Sequence, residues 1–222
     1  MSLKLGDTFP NLSMKTTWGN LNLYDYLGES WGILFSHPAD YTPVCTTELG
    51  AAAKYAPEFK DLNTKLIGLS IDPIADHEGW IKDIQEYNKL SGDFPFPLIS
   101  DDRTIATQLG MLDPDERDST GMPLTARAVF VIGPDHKLKL SLLYPATTGR
   151  NFDEIIRVIK SLQLTAHHKV ATPQNWKSGD KCMVVPSLTD EQAEKRFAKG
   201  FEKASLPSGK GYIRLTPDPS QS

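Results

Sequence analysis

Two cysteines are all that this chain of 222 residues contains, Cys45 and Cys182. That scarcity excludes a disulfide scaffold. It also excludes a zinc site built on closely spaced cysteine pairs, and the absence of any C-x-x-C excludes dithiol exchange of the thioredoxin kind. No stretch reaches the ~18 uninterrupted apolar residues that a membrane-spanning helix needs. Met1 to Asn11 holds no apolar core of signal-peptide length. No sign of charge dominates: 24 Lys and Arg face 28 Asp and Glu, for a formal net charge of −4. The balance gives no footing for nucleic acid or for a polybasic membrane contact. The expectation is a cytoplasmic protein without stable membrane insertion. A chain of this length buries roughly 70% of its unfolded surface and needs no metal or disulfide to hold a core.

What is present is an ordered alternation of elements. Trp31–Ser36 and Lys65–Ile71 are apolar runs suited to buried strands. Leu49, Ala52, Ala53, Ala56 and Phe59 recur at helical spacing between them, with Pro57 expected to kink or interrupt that helix. Ile74, Ile81, Ile84 and Tyr87 suggest a second helix, Phe96–Ile99 a strand and Thr104–Leu109 a short helix. Ala128–Ile132 is a strongly apolar strand. Gly133-Pro134-Asp135-His136 is a turn, and Leu138, Leu140 and Leu142 alternate with polar residues as in a strand with one wet face. Asn151-Phe152-Asp153-Glu154 has the spacing of a capping box opening a last helix. The order predicts an α/β, thioredoxin-like sandwich with a mixed central sheet over residues 1–165. Residues 166–222 read as a small C-terminal α/β appendage. In it, Thr189-Asp190-Glu191-Gln192 opens a helix expected to reach about Lys203.

Cys45 carries the chemical signal. It follows a strand and a turn, with Thr42 placed as N-cap and Pro43 at the first helical position. Its sulfur then lies where backbone N–H groups lack intrahelical partners and where the helix dipole is positive. Such surroundings favour thiolate, the reactive form. Magnitudes show what else is required. Taking a free thiol from a pKa of about 8.5 to about 6 needs ~3.4 kcal/mol. A helix terminus supplies about 0.3–1 kcal/mol, and about 2 at best. A cation from elsewhere must supply the rest. Arg127 opens the apolar strand, and Arg150 precedes the Asn151 cap, where its sign is wrong for the helix. These two are the candidates. Arg103, Arg117, Arg157 and Arg196 read as solvated, and Arg214 is undecided.

Pro38-x-x-x-Thr42-x-x-Cys45 resembles the active-site pattern of the peroxiredoxins. The longer string His37 to Leu49, together with Gly121–Arg127, Tyr144–Arg150 and Leu206–Lys210, is similar to the one-cysteine subgroup, the peroxiredoxin-six type, over nearly the whole chain. The resemblance implies a thiol-dependent peroxidase without a cofactor, acting on hydrogen peroxide and on organic, including phospholipid, hydroperoxides. Cys45 would be the attacking thiol and Thr42 a hydrogen-bond partner of peroxide and sulfur. Arg127 would hold the thiolate, and Pro38 would shield it. His37, Val44 and Arg150 would be secondary members of the pocket. Cys182 lacks the Val-Cys-Pro setting of a resolving cysteine and reads as an ordinary thiol. An external thiol, glutathione with a glutathione transferase, would then reduce the sulfenic acid, and the chain would form a homodimer. The rival reading is a redox-sensing or chaperone-like protein that uses the same sulfenic acid slowly.

Gly28-Glu29-Ser30-Trp31-Gly32 matches G-x-S-x-G, but Ser30 precedes a strand rather than joining strand to helix. Some relatives are credited with phospholipase A2 activity from such a serine, a histidine and an aspartate. Ser30 and Asp135 match, while Tyr24 stands at the histidine position and is no general base near neutral pH. His167 and His168 have no partner at metal-ligand spacing and read as solvated, with no metal expected. His77 and His136 read as surface residues, Trp18, Trp80 and Trp176 as packing residues, and Asp113–Asp118 as a solvated loop.

Overall fold

A computed structural model describes residues 3–221. In chain order the first elements are β1 (Ser13–Thr16), β2 (Gly19–Asn22), α1 (Leu23–Leu27), β3 (Trp31–Ser36), α2 (Pro43–Asp61), β4 (Thr64–Ser70), α3 (Ile74–Asn88), β5 (Leu98–Ser100) and α4 (Thr104–Leu109). A two-stranded ribbon of β6 (Leu112–Arg117) and β7 (Pro123–Thr125) follows, then β8 (Arg127–Ile132) and β9 (Leu138–Tyr144). Seven strands form one sheet in the order β2-β1-β5-β4-β3-β8-β9. β3, β4 and β5 run parallel, as strands linked through α2 and α3 must, and β8 and β9 return antiparallel. This is the mixed thioredoxin-like sheet that the order of elements predicts.

The period-2 alternation of β8 decides where the chemistry lies. Ala128, Phe130 and Ile132 join Leu34, Ile67, Leu69 and Ile99 in one hydrophobic cluster. Arg127, Val129 and Val131 therefore take the other face. Phe35 pairs with Val129 in register, and Ile33 with Val131. The guanidinium of Arg127 thus leaves the sheet on the side where α2 begins.

Several expectations are corrected. Pro57 lies inside α2, which runs unbroken to Asp61. Its ring is exposed, and the buried Ala52, Ala53 and Phe59 hold the helix on both sides of the lost hydrogen bond. The buried face of α3 is His77, Trp80 and Ile84, while Tyr87 is exposed. His77 is fully buried because its ring is hydrogen-bonded at both nitrogens. The acidic run Asp113–Asp118 is mostly strand β6 rather than loop. Arg103, expected to be solvated, bonds Asp118 at 2.5 Å and the Pro123 carbonyl at 3.0 Å, tying down that ribbon. Trp18 is half exposed and meets Tyr26 edge-on. Gly50 has a specific reason: a Cβ there would stand 2.0 Å from the Asn88 amide, which bonds the Thr46 carbonyl and joins α3 to the start of α2.

The chain divides into two units, one ending at Phe152 and one beginning at Asp153. Nearly all of α5 (Phe152–His167) is thereby grouped with the second unit, earlier than the change of character near residue 165. The rest of that unit comprises β10 (Val170–Ala171), β11 (Cys182–Val184), α6 (Asp190–Arg196), β12 (Glu202–Lys203), β13 (Arg214–Thr216) and the short 3₁₀ turn Pro219–Gln221. Its four strands form an antiparallel sheet in the order β10-β11-β13-β12. Leu164, Val170, Trp176, Cys182, Val184, Ala193 and Phe197 give it a core of its own. Thr189 and Gln192 form the expected reciprocal capping box. The helix stops at Arg196, short of Lys203, because Phe197 turns extended, Gly200 takes φ +69° and Glu202–Lys203 pair as a strand. Arg214 is buried and bonds Asp190 and the Val185 carbonyl.

Candidate active site

Cys45 sits at the third position of α2 and is fully buried. Thr42 has the extended backbone of an N-cap, and its carbonyl accepts from the Thr46 N–H at 3.0 Å. Its side chain does not cap. Thr42 Oγ1 donates to the Ala39 carbonyl at 2.8 Å. With its proton committed there, the hydroxyl keeps its lone pairs, so toward an incoming O–H or N–H it is an acceptor. Two braces fix the strand ends around it. Ser36 Oγ donates to the Ala126 carbonyl at 2.6 Å, and Thr125 Oγ1 donates to the His37 carbonyl at 2.5 Å. Pro38 is buried in the segment that joins β3 to α2, and Val44 lies half-buried against the loop at Gly149.

Of the two candidate cations, Arg127 is the one that meets the sulfur. Its Nη1 lies 3.3 Å from Cys45 Sγ and 2.6 Å from Glu48 Oε2. The other side of the guanidinium is clamped by the Ala146 carbonyl, at 2.9 Å from Nε and 2.6 Å from Nη2. Arg150 is placed differently from the expectation that it lines the thiol pocket. It bonds Glu48 in a fork, Nε to Oε1 at 2.9 Å and Nη2 to Oε2 at 2.8 Å, and its backbone N–H reaches Oε1 at 2.6 Å. Its Nη1 donates to the Ala128 carbonyl. Arg150 therefore acts on the site through Glu48.

Glu48 is the principal residue that the sequence reading missed. Burial works to raise its carboxyl, but the bonds and charge of Arg150, and then the charge of Arg127, outweigh burial and hold it below the usual carboxylate range. Two guanidinium charges face one carboxylate. One positive charge is left over, and Arg127 Nη1 carries it to the Cys45 sulfur. The signal was available: position 48 is three residues from Cys45, beside Leu49 and Ala52 on the buried face of α2. An acid on an apolar stripe requires a buried partner. The Ala146 carbonyl carried no sequence signal beyond its motif.

Asp40 was also missed. It accepts from His37 Nε2 at 2.8 Å and from His77 Nδ1 at 2.5 Å. Asp72 lies beside it, accepting from the Asp40 N–H and from Ser70 Oγ. His37, Asp40 and Asp72 bring ligand-type atoms within 4.8 Å of one another. Those carboxylates are taken up by hydrogen bonds within the protein, so the group is accounted for without an ion.

Among the described residues, the candidate hydrolase side chains each bond a different partner and not one another. Ser30 Oγ pairs with Asn63 Oδ1 at 2.9 Å, Asp135 with Lys139 Nζ at 2.6 Å, and Tyr24 donates to the Phe9 carbonyl at 2.5 Å. Ser30 lines an open groove of about 970 Å³ with Trp18, Tyr26, Pro57 and Phe94, whereas Tyr24 and Asp135 do not line it. His136, expected at the surface, is half-buried and stacks on Tyr24 at 3.8 Å. In the second unit, the buried Cys182 thiol is pushed up to about 11, by burial first and then by the negative charge of Asp218.

Residues 5–141 match the AhpC/TSA family, and residues 161–200 match the C-terminal domain of 1-Cys peroxiredoxin. The chain is 64% identical to peroxiredoxin-6 of Gallus gallus and 61% identical to peroxiredoxin-6 of Homo sapiens, each over 98% of both chains. Among solved structures it is similar to the C45S mutant of the peroxiredoxin 6 of Arenicola marina. The TM-score there is 0.95, with 57% identity over 98% of this chain and 99% of that one. It is also similar to a yeast mitochondrial 1-Cys peroxiredoxin, solved for its thiol-resolving mechanism via glutathione/thioredoxin systems. That match has a TM-score of 0.88 and 44% identity over 97% and 99% of the two chains.

Proposed function

This chain belongs to the AhpC/TSA family and is a peroxiredoxin of the one-cysteine type, and we propose that its thiol peroxidase activity runs through Cys45 with Arg127 and Thr42 as its partners. The observation that carries this reading is the 3.3 Å contact between Arg127 Nη1 and Cys45 Sγ at the N-terminus of α2. The thiolate attacks one oxygen of the peroxide in line. The sulfur loses two electrons, an S–O bond forms and the O–O bond breaks. The departing oxygen takes a proton and leaves as water or an alcohol, and Cys45 is left as a sulfenic acid. Charge grows on the departing oxygen, where N–H donors already held by Glu48 and Ala146 need no reorganisation. Thr42, as an acceptor, orients the peroxide O–H, and Pro38 keeps bulk water from the sulfur.

The substrates in this reading are hydrogen peroxide and organic hydroperoxides, phospholipid hydroperoxides included. The reductant is an external thiol such as glutathione, with a glutathione transferase as partner. One thiol condenses with the sulfenic acid to a mixed disulfide and water, and a second releases Cys45 as the thiol. The yeast relative's glutathione/thioredoxin systems support this class of reductant. The burial of Cys182 supports it too, because that thiol is not offered to solvent as a resolving group. A homodimer in the cytoplasm completes the proposal. β9 ends the sheet and exposes Leu143, an edge on which a second copy could pair.

The test is stoichiometric. One equivalent of hydrogen peroxide, without reductant, should add one oxygen to Cys45 as read by mass spectrometry, and Cys45→Ser should consume none. A fast second-order rate marks a peroxidase. A slow one with full stoichiometry would favour the redox-sensing reading.

A further inference from the structure

The buried chain His37–Asp40–His77 has a hydrogen-bond pattern that fixes the protonation of every member. His77 Nε2 lies 3.1 Å from the Ile99 carbonyl, which can only accept, so that nitrogen carries a proton. His77 Nδ1 lies 2.5 Å from Asp40 Oδ2, and Asp40 is ionised, because although burial works to raise its carboxyl the bonds of the two rings hold it below its ordinary value, so it too accepts. Both nitrogens of His77 therefore donate, and the ring is imidazolium. His37 Nε2 faces Asp40 Oδ1 at 2.8 Å and must also donate. Among the described residues His37 Nδ1 has no hydrogen-bond partner, and the residue is fully buried. A neutral His37 with its proton on Nε2 leaves Nδ1 as a bare acceptor. The titration directions agree. Burial leads in pulling His37 below its ordinary value, whereas at His77 the bond and charge of Asp40 overcome burial and raise it. The remaining charged neighbour is Asp72, which accepts from the Asp40 N–H.

The orphan acceptor is close to the proposed chemistry by position in the fold. The His37 ring lies 5.1 Å from that of Trp80, whose Nε1 donates to Thr46, the residue after Cys45. The His37 carbonyl is held by Thr125, two residues before Arg127. Its own segment carries Pro38 and Thr42. An empty buried acceptor is costly, and it persists where the donor arrives from outside. A peroxide brings an O–H.

We propose that Asp40 and His77 are positioning residues that lock His37 in its Nε2–H tautomer, so that Nδ1 is kept bare to accept the second O–H of hydrogen peroxide, the one that Thr42 does not take. The inference deepens the proposed function and rests on it. Asp40 sets the tautomer, and His77 supplies the charge that keeps Asp40 ionised while His37 stays neutral.

Two measurements test it. In the unmodified protein at pH 7, nitrogen-15 NMR should show both His77 nitrogens protonated and His37 with a proton on Nε2 alone. A His37 proton on Nδ1 overturns the lock without any variant. Asp40→Asn can present an N–H to His37 Nε2 and so drive the proton onto Nδ1. Its rate with hydrogen peroxide should then fall at least ~10-fold, while alkylation of Cys45 by iodoacetamide, which has no O–H to place, should change less than about twofold. Equal losses in both reactions, or an unchanged peroxide rate, overturn the proposal. If Cys45→Ser still consumes peroxide, the proposed function fails, and that result is distinct because the tautomers are read independently of activity.

Discussion

Cys45 and Cys182 are equally inaccessible, each fully buried, yet their surroundings have opposite electrical character. Cys45 lies in the first turn of a helix, against a guanidinium. Cys182 lies in strand β11, in the apolar core of the second unit, with Asp218 and Asp180 as its charged neighbours. Burial by itself opposes the thiolate in both. What separates them is the sign of the fixed charge that each fold brings up, and for Cys45 that charge comes from a strand more than eighty positions along the chain. A peroxidase gains from a cation beside one sulfur and from keeping every other thiol neutral, and the two cysteines of this chain divide along that line: a guanidinium meets Cys45, while burial and Asp218 raise Cys182.

The strongest way to break the contrast is to remove the cation. Arg127→Met should lower the second-order rate with hydrogen peroxide by about 10²–10³-fold, the usual cost of one preorganised donor at a developing anion. Stopped-flow fluorescence would measure it. The same variant should leave Cys182 untouched. Conversely, Cys182→Ser should change the peroxide rate less than about twofold, since neither helix dipole nor guanidinium acts on that thiol. A tenfold change would mean that Cys182 takes part and that the contrast is false.

Glu48 sharpens the comparison from the other side. It is a buried negative charge one helical turn from Cys45, and it is tolerated because two arginines share it. Glu48→Gln leaves two buried guanidinium groups without their carboxylate. Removing one partner of a buried pair costs about 3–5 kcal/mol, which urea unfolding would register. The pH dependence has a definite sign. The carboxyl is held below its ordinary value in the folded state, so its contribution is complete above the unfolded pKa of about 4.3. It is lost as pH falls through the lower, folded value. The stability gap between the native protein and Glu48→Gln should therefore be flat near neutrality and close on acidification. A gap that widens in acid would mean that Glu48 is not the ionised partner of the two arginines.

These residues also show how far the chemistry was legible in the sequence. Cys45, Thr42-Pro43 and Arg127 could be read because local rules place them: a cap signal, a helix start, a charged residue opening an apolar strand. The energy shortfall of a helix dipole called for a cation before any contact was known. Arg150 was flagged correctly as misplaced for its own helix, but its partner was not, because a salt bridge across a hundred residues leaves no local trace. His77 was misread for the same reason. A histidine on a helix looks solvated until the carboxylate of Asp40 and the carbonyl of Ile99 are known to meet it. The sheet was legible from periodicity, whereas the end of α6 was not, since a strand pairing of Glu202 and Lys203 replaced the last turns of a well-capped helix.

The smallest predicted effect compares two threonines that occupy the same kind of position, one in each unit. Thr42 and Thr189 both have the extended backbone of an N-cap. Thr189 Oγ1 accepts from the Gln192 N–H while the Gln192 side chain returns to the Thr189 N–H, so it caps α6 in full. Thr42 spends its hydroxyl on the Ala39 carbonyl and leaves the first turn of α2 uncapped by its side chain. Thr189→Ala should thus cost about 1 kcal/mol of stability, with the peroxide rate unchanged. Thr42→Ala should lose one ordinary hydrogen bond, about 0.5–1.5 kcal/mol, but also lower the peroxide rate if its hydroxyl is the acceptor proposed for the substrate. Denaturant unfolding and peroxide kinetics on both variants would decide the matter. If Thr42→Ala behaves like Thr189→Ala in both assays, then Thr42 is only a cap, and the N–H groups of α2 are left open for no purpose that the peroxide serves.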